Sequence, residues 1–239
     1  MQLYDMHSHI LPEFDDGAKS VEESLALIDS LKKQGVNNIC LTPHFYTNEM
    51  SLEDFAESRR KAFEKFKPFI PEDVNIVLGA EVYVTRYMFG NNDFSELSYG
   101  NSRYILTEFG YDSRFSEHTM KRFYSFINDY DLIPVLPHVE RYQTLMDNPS
   151  VISELRDMGV VIQTNISNYT KKAPMFKRRK LLKMISGGLI DIIGSDAHSL
   201  RHNTPEVYTE AVECISSKCG RVAVEQMMKN AGEIFEDAL

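Results

Sequence analysis

The stretch that decides the fold is LYDMHSHILPEFDDGAKSVEESLALIDSLKKQGVNNICLTPH, residues 3–44. It begins and ends with short apolar runs that are typical of buried strands. Between them, Ser20 is placed to cap a helix that stops near Gly35. This order of strand, helix and strand predicts two parallel strands joined by a crossover helix.

The same alternation continues along the chain. The seven predicted strands are 3–6, 38–42, 74–80, 104–109, 133–136, 160–164 and 190–194. Further helices are predicted at 52–69, 117–128, 149–158, 176–186, 205–217 and 221–236. We therefore expect an α/β fold, a distorted barrel of parallel strands, in a single domain spanning residues 1–239 with C-terminal helices from about residue 204.

Side chains that can bind a metal ion follow six of the seven predicted strands at their carboxyl ends. They are His7, His9, Asp15, Asp16, His44, Glu81, Glu108, His138, Asp196 and His198. In a parallel α/β barrel the carboxyl ends of the strands converge at one mouth. We therefore expect these side chains, remote in sequence, to form one polar cluster.

The spacing within this set favours metal binding. His7 and His9 are two residues apart, so on a strand both imidazoles point to the same face and can reach one ion, and Asp196 and His198 share that spacing. Burying the five imidazoles together with four carboxylates, those of Asp16, Glu81, Glu108 and Asp196, would be costly without cations. A mixed nitrogen and oxygen set without thiolate suits manganese, zinc or iron better than calcium.

Each of these residues and motifs, taken alone, also has an ordinary structural interpretation. A lone His-x-His pair is more often packing than ligation, Glu81 alone could be a surface charge, and Glu108 could be the buried partner of an arginine. His118 and His202 are interpreted as surface histidines, and the basic run 177–180 as a solvated helix face. Joint placement at the strand ends is what favours the metal site over these alternatives.

Composition excludes several classes of protein. Among 239 residues, 26 Lys and Arg face 35 Asp and Glu, and the resulting net charge of −9 argues against a general nucleic-acid binder. The three cysteines Cys40, Cys214 and Cys219 have no C-x-x-C spacing, which indicates a reducing compartment and no disulfide framework. No apolar run is long enough to cross a membrane, and no leader pattern precedes residue 9. We expect an unprocessed cytoplasmic protein.

The chemistry is narrowed by the motifs that the sequence lacks. No cysteine is followed by an arginine six positions later, which excludes a cysteine-nucleophile phosphatase loop. The P-loop, dinucleotide-binding, HExxH and GxSxG patterns are also missing. Water activated by a metal ion is the remaining candidate nucleophile.

The chain resembles a known family, the PHP (polymerase and histidinol phosphatase) superfamily. More narrowly, it resembles the manganese-dependent protein-tyrosine phosphatases encoded with capsule and exopolysaccharide genes in Gram-positive bacteria. The motifs that carry the resemblance are DMHSHILPEFDDGAKS (5–20), TPH (42–44), GAEVY (79–83), SRYILTEF (102–109), PVLPHVERY (134–142) and GSDAHS (194–199). They occur in the family's order and spacing from residue 2 to about 200.

The resemblance implies three metal ions, usually manganese, in a (β/α)7 barrel. By motif, the first ion would be bound by His7, His9, Glu81 and Asp196. Glu81 would bridge to the second, which Glu108 and His138 complete. The third would be bound by Asp16, His44 and His198. Arg141 would correspond to the phosphate-clamping arginine, and Arg201, at a shorter spacing than usual, to a second one.

The resemblance further implies hydrolysis of phosphotyrosine, with the tyrosine-rich tail of a bacterial tyrosine kinase as the protein partner. The alternative enzyme is a small-molecule phosphatase of the histidinol phosphate type. A regulatory module with a vestigial site is a third interpretation. An amidohydrolase is a further alternative, but it would commonly show a metal-bridging lysine at the end of a middle strand, where this sequence has glutamates. Tyr46, Tyr111 and Tyr142 follow strand ends and either form an aromatic wall for the substrate ring or pack at the rim.

Overall fold

A curled parallel sheet runs through the centre of the protein. A computed structural model describes residues 1–90 and 93–239. The strands in this part of the chain are β1 (Leu3–Asp5), β2 (Val36–Leu41), β3 (His44–Phe45), β4 (Asn75–Leu78), β5 (Glu81–Tyr83), β6 (Tyr104–Glu108), β7 (Ile133–Leu136), β8 (Val161–Asn165) and β9 (Ile192–Gly194). Each predicted strand overlaps an observed one, while β3 and β5 are short additional strands.

Helices cover the sheet between these strands. They are α1 (Val21–Lys33), α2 (Leu52–Phe66), α3 (Glu117–Tyr124), α4 (Gln143–Asp147), α5 (Pro149–Asp157), α6 (Met175–Ser186), α7 (Tyr208–Cys219) and α8 (Arg221–Ala238). Helix α1 begins where the sequence predicts, because the Ser20 side chain accepts a hydrogen bond from the Glu23 amide. The short helix α4 was not predicted.

The strands form two hydrogen-bonded sheets, ordered β1-β2-β4 and β3-β5-β6-β7-β8-β9, and every pairing is parallel. The amide of Gly79 donates to the Leu41 carbonyl at 2.8 Å, and that of Glu81 donates to the Pro43 carbonyl at 3.0 Å. These bonds carry the pairing across the breaks between β2 and β3 and between β4 and β5. The two sheets therefore follow one another in a single curl.

The first and last strand segments also meet. Ser8 forms an isolated parallel bridge with Ala197, and the His9 amide donates to the Ala197 carbonyl at 2.9 Å. This contact places the end of β1 beside the end of β9. The carboxyl ends of the strands consequently face one mouth, as an α/β fold with a curled parallel sheet requires.

The two C-terminal helices pack against the outside of this junction. The Tyr4 ring lies 5.6 Å from the ring of Phe235 on α8, and the Tyr208 hydroxyl on α7 donates to the Tyr4 carbonyl. Cys40 is buried in β2, and all three cysteines are free. Among the described residues, no helix combines the length and apolar character needed to span a bilayer.

Candidate metal centre

The strand ends bring the predicted ligands together in a buried inner group. The Nε2 atoms of His7 and His9, just beyond β1, lie 3.1 Å apart. Each is 3.2 Å from Oε2 of Glu81, the first residue of β5. Asp196 Oδ1, beyond β9, lies 3.7 Å from the His7 nitrogen and 3.5 Å from the His9 nitrogen. All four side chains are buried.

The other oxygen of Glu81 faces a second group. Glu81 Oε1 lies 2.7 Å from Nε2 of His138, and the same nitrogen lies 3.4 Å from Oε1 of Glu108. His138 follows β7 and Glu108 ends β6, so neighbouring strands supply them. The two carboxylate oxygens of Glu81 thus point at different imidazoles, which is the geometry of a bridging ligand.

A third group lies at the outer side of the cluster. Asp16 Oδ1 is 3.6 Å from His44 Nε2 and 3.4 Å from His198 Nε2. Asp16 is exposed, whereas both imidazoles are largely covered. His9 has a ligand atom within 4.8 Å of those of all three, and His44 also groups with Glu81 and Glu108. His9 and His44 therefore lie between groups, rather than each belonging to one.

Two of these residues have unusual backbone conformations. His138 has φ 34° and Asp196 has φ 54°, both in the left-handed region that side chains other than glycine rarely adopt. The His138 amide donates to Gln163 Oε1 at 2.8 Å, and the Asp196 amide donates to the His7 carbonyl at 2.8 Å. Such conformations are concentrated at functional sites, where the surrounding structure holds them.

Three polar residues outside the expected ligand sets support the cluster, and two of them, Gln163 and Asn165, were not singled out by the sequence analysis. Gln163 and Asn165 both point from β8, the strand without a predicted ligand. Gln163 lies 3.4 Å from His7 Nδ1, and Asn165 donates to Asp196 Oδ2 at 2.8 Å. Asp15 accepts a hydrogen bond from His9 Nδ1 at 2.7 Å. The alternating positions of Gln163 and Asn165 on a strand were the available signal, since residues two apart share a face.

Arg141 reaches the same cluster. Its Nη2 donates to Asp196 Oδ2 at 2.5 Å, and its Nη1 donates to the Tyr111 hydroxyl at 2.7 Å. The Tyr111 hydroxyl in turn donates to Glu108 Oε1 at 2.7 Å. Arg141 is therefore held at the mouth of the cluster by Asp196 on one side and by a chain of hydrogen bonds to Glu108 on the other.

Arg201 is placed differently. It is exposed and does not line the cavity above the cluster, although the next two residues, His202 and Asn203, do. Asn203 donates to Asp196 Oδ2 at 2.9 Å. His202 is exposed, as a surface histidine would be, but its ring also lies 5.8 Å from that of His198.

The cavity above the cluster has a volume of about 360 Å³. Its wall includes Tyr46, Tyr83 and Tyr111, together with Arg141. Tyr142, the third tyrosine predicted for an aromatic wall, is fully buried and donates to the Phe109 carbonyl instead. Two of the three predicted tyrosines thus face the cavity, while Tyr142 packs beneath it.

The carboxylates of the inner group favour positive charge on the imidazoles of His7 and His9, whose pKa values are raised. Burial lowers the pKa of His9, but its hydrogen bonds to Asp15 and Glu81 outweigh burial and set this pKa well above its ordinary value. Burial raises the pKa of Glu81, but the charge of His7 and hydrogen bonds from the imidazoles bring it well below its ordinary value. Burial and repulsion from Glu81 raise the pKa of Glu108. The cluster therefore requires cations, either as protons or as metal ions.

The side chains present fit divalent metal ions. In the described chain, His44 Nδ1 is buried without a hydrogen-bond partner, although it lies 3.1 Å from Glu81 Oε2. A cation between them would satisfy both atoms. An ion between Glu81 and Glu108 would likewise remove the repulsion between the two carboxylates. The donor set, all imidazole and carboxylate, matches manganese, zinc or iron.

Comparisons with known proteins give matches over nearly the whole chain. The profile of the family described as "Capsular polysaccharide synthesis, CpsB/CapC" matches residues 3–236. The tyrosine-protein phosphatase CpsB of Streptococcus pneumoniae is 32% identical, over 99% of this chain and 100% of the relative. The tyrosine-protein phosphatase YwqE of Bacillus subtilis is 29% identical, over 96% of this chain and 90% of the relative.

The fold is shared with a solved structure. A chain from the crystal structures of YwqE from Bacillus subtilis and CpsB from Streptococcus pneumoniae, described as unique metal-dependent tyrosine phosphatases, matches with a TM-score of 0.80. The sequences are 24% identical, and the match covers 99% of this chain and 96% of that chain. The likeness establishes a common architecture over the whole length.

Proposed function

Because the chain belongs to the CpsB/CapC family of capsular polysaccharide synthesis, we propose that it is a metal-dependent phosphatase that hydrolyses phosphotyrosine in proteins. The observation that carries this proposal is the position of Glu81 between two groups of imidazoles, with Arg141 at the same cavity. Metal ligands and a phosphate-binding guanidinium are the groups that phosphoryl transfer needs together.

We propose that three divalent ions occupy the cluster, and that these ions are manganese. His7, His9, Glu81 and Asp196 would bind the first; Glu81, Glu108 and His138 the second; and Asp16, His44 and His198 the third. The inner, bridged and outer groups of side chains support this division. Zinc and iron suit the same donors.

We also propose that the fold is a distorted (β/α)7 barrel within a single domain, residues 1–239. Merging β2 with β3 and β4 with β5 leaves seven strand segments, and the Ser8–Ala197 bridge joins the first to the last. The contact of Phe235 with Tyr4 supports including the C-terminal helices in that domain. The free cysteines support a reducing, cytoplasmic location.

The residues around the cavity account for binding and orientation of the substrate. When bound, the ions would lower the pKa of water enough to supply a nucleophile near neutral pH and would neutralise phosphoryl charge. The Arg141 guanidinium presents two nitrogens at the cavity and can donate both to phosphoryl oxygens in place of Asp196 and Tyr111. Tyrosinate leaves readily, since its conjugate acid has a pKa of about 10, so little acid assistance is needed.

The substrate class follows from the cavity wall and the family. Tyr46 and Tyr111 both line the cavity and suit the ring of phosphotyrosine. We propose that the physiological partner is the autophosphorylated, tyrosine-rich tail of a kinase that controls polysaccharide synthesis, which the family's role in capsule synthesis supports. Arg201 would approach the phosphate only from the rim, so its contribution should be smaller than that of Arg141.

The test compares two substrates. Purified protein with added manganese should hydrolyse a phosphotyrosine peptide with a kcat/KM far above that for histidinol phosphate, and chelation should remove the activity. Glu108→Gln should abolish turnover, while Glu225→Gln on the exposed face of α8 serves as the matched control. Preference for histidinol phosphate would instead support the small-molecule phosphatase, and activity that survives chelation would contradict the metal site.

A further inference from the structure

A second, larger cavity adjoins the one above the metal centre. It has a volume of about 780 Å³ and shares Tyr83, Phe109 and Gly110 with the first as a common wall. A side chain added at Gly110 would lie 2.9 Å from Asp112 Oδ1 and 3.2 Å from the Tyr83 hydroxyl, so this wall has no spare room. The larger cavity, the basic groove, therefore lies directly beside the metal cavity.

The larger cavity carries positive charge on a strongly acidic protein. Three arginines line it, Arg86, Arg114 and Arg122, against a single carboxylate, Asp112. The net charge of the chain is −9, so the local excess of positive charge is the reverse of the average surface. Such a patch attracts anions toward the groove.

These three arginines are not neutralised by the protein. Within residues 1–90 and 93–239, the arginines that pair with carboxylates are Arg103, Arg141, Arg156 and Arg221. Arg86 instead stacks on Tyr87, with its guanidinium carbon 4.5 Å from the ring centre. Arg122 donates to the Val84 carbonyl at 3.3 Å. Their charges are therefore available to a ligand.

We propose that this basic groove binds anionic side chains that flank the phosphotyrosine of the protein substrate. The inference rests on the proposed phosphatase function, because it takes the phosphotyrosine to occupy the metal cavity. An extended chain advances about 3.3 Å per residue, so the residues next to the phosphotyrosine would lie along the basic groove, beginning at the shared wall. The anions are carboxylates of acidic residues or a further phosphate, since both accept charge-assisted hydrogen bonds from arginine.

The first experiment varies the substrate. Three peptides of equal length carry one phosphotyrosine flanked by aspartates, by asparagines, or by asparagines with one phosphoserine. We expect the two anionic peptides to have a kcat/KM about tenfold above that of the neutral peptide, mainly through KM, and the difference to shrink as salt is raised. The better of the two anionic peptides identifies the source of the charge, and equal kcat/KM for all three overturns the proposal.

The second experiment varies the groove. Arg86→Ala combined with Arg114→Ala should lower kcat/KM for the preferred anionic peptide about tenfold, at about threefold for each exposed charge. The small substrate p-nitrophenyl phosphate would occupy only the metal cavity and would not contact these arginines. Its turnover by the double variant should therefore stay within about twofold of wild type. Arg179→Ala, an exposed arginine on α6 that lines neither cavity, is the matched control.

Failure of this inference is distinguishable from failure of the proposed function. If the wild-type protein with manganese hydrolyses neither p-nitrophenyl phosphate nor any of the peptides, the phosphatase assignment is wrong. The other case is that the wild type hydrolyses all of these substrates. If the double variant then loses as much activity toward p-nitrophenyl phosphate as toward the anionic peptide, the arginines do not bind flanking anionic side chains. Loss confined to the anionic peptides supports the basic groove.

Discussion

Asp15 should decide whether His9 can bind a metal ion. Asp15 Oδ2 accepts hydrogen bonds from His9 Nδ1 at 2.7 Å and from the His44 amide at 3.0 Å. Asp15 Oδ1 accepts from the Gly17 amide at 2.9 Å. Since a carboxylate only accepts, it holds the His9 proton on Nδ1 and leaves Nε2, 3.2 Å from Glu81, free to bind an ion.

The variant Asp15→Asn keeps the size of the side chain and removes one acceptor. Three donors then compete for one oxygen, so at least one N–H loses its partner and faces the new amide group. A hydrogen bond to a charged group contributes about 1.5–3 kcal/mol. If most of this loss falls on metal affinity, manganese binding should weaken by about 10- to 100-fold, the usual effect of removing a partner of a metal-binding histidine.

The assay is manganese titration by calorimetry, with metal content measured after dialysis and the fold checked by circular dichroism. Asp131→Asn is the control, because Asp131 is exposed and pairs with Arg103 at the surface. We expect the control to bind manganese as the wild type does. A folded Asp15→Asn protein with an unchanged dissociation constant would show that His9 does not depend on Asp15, and would contradict the placement of His9 in the metal shell.

Three further predictions concern the same molecule. His138→Ala or Glu108→Ala should abolish turnover while the far-ultraviolet circular dichroism spectrum stays native, since both side chains lie at the mouth rather than in the packed core; full activity would remove them from the site. Arg141→Ala should lower kcat/KM for phosphotyrosine peptide by about 100-fold, and exposed Arg201→Ala by about threefold, in steady-state assays; the reverse order would exchange their roles. Burial raises the pKa of Asp5 from 3.8 to about 6, so its charged form is less favourable in the folded protein than in the unfolded chain. The free energy of unfolding of the metal-free protein should therefore fall by about 3 kcal/mol as pH rises from about 4 through about 6, and Asp5→Asn should remove this part of the pH dependence in urea titrations.

The strands were predictable because the curled sheet buries most of them on both faces. Such strands appear in the sequence as short continuous apolar runs. The observed boundaries differ from the predicted ones mainly where a strand breaks, as at Pro43 and Gly79. Proline has no amide hydrogen to donate, and glycine weakens a strand, so both breaks have a local cause. Helix α4, only five residues long, was not predicted because it is too short to show a helical period of apolar residues.

The clustering of the candidate metal ligands was predictable for a different reason, since most of them follow strands whose ends are fixed by the fold. The residues that orient them were not. Gln163 and Asn165 look like ordinary polar residues in a half-buried strand, and Asn203 lies in a loop whose path depends on tertiary contacts. Hydrogen bonds between remote side chains depend on distances in space, which spacing along the chain does not contain.

Assembly of the candidate metal centre depends on the contact between the first strand and the last. The bridge between Ser8 and Ala197 lies within the His-x-His and Asp-x-His pairs, so their register determines which side chains face the candidate centre. A shift of one residue would turn His7 and His9 away from the cluster, because neighbouring side chains on a strand point to opposite faces. Ions that bind only the folded register stabilise it by mass action. Metal binding should therefore hold the two ends of the sheet together, in addition to serving the reaction.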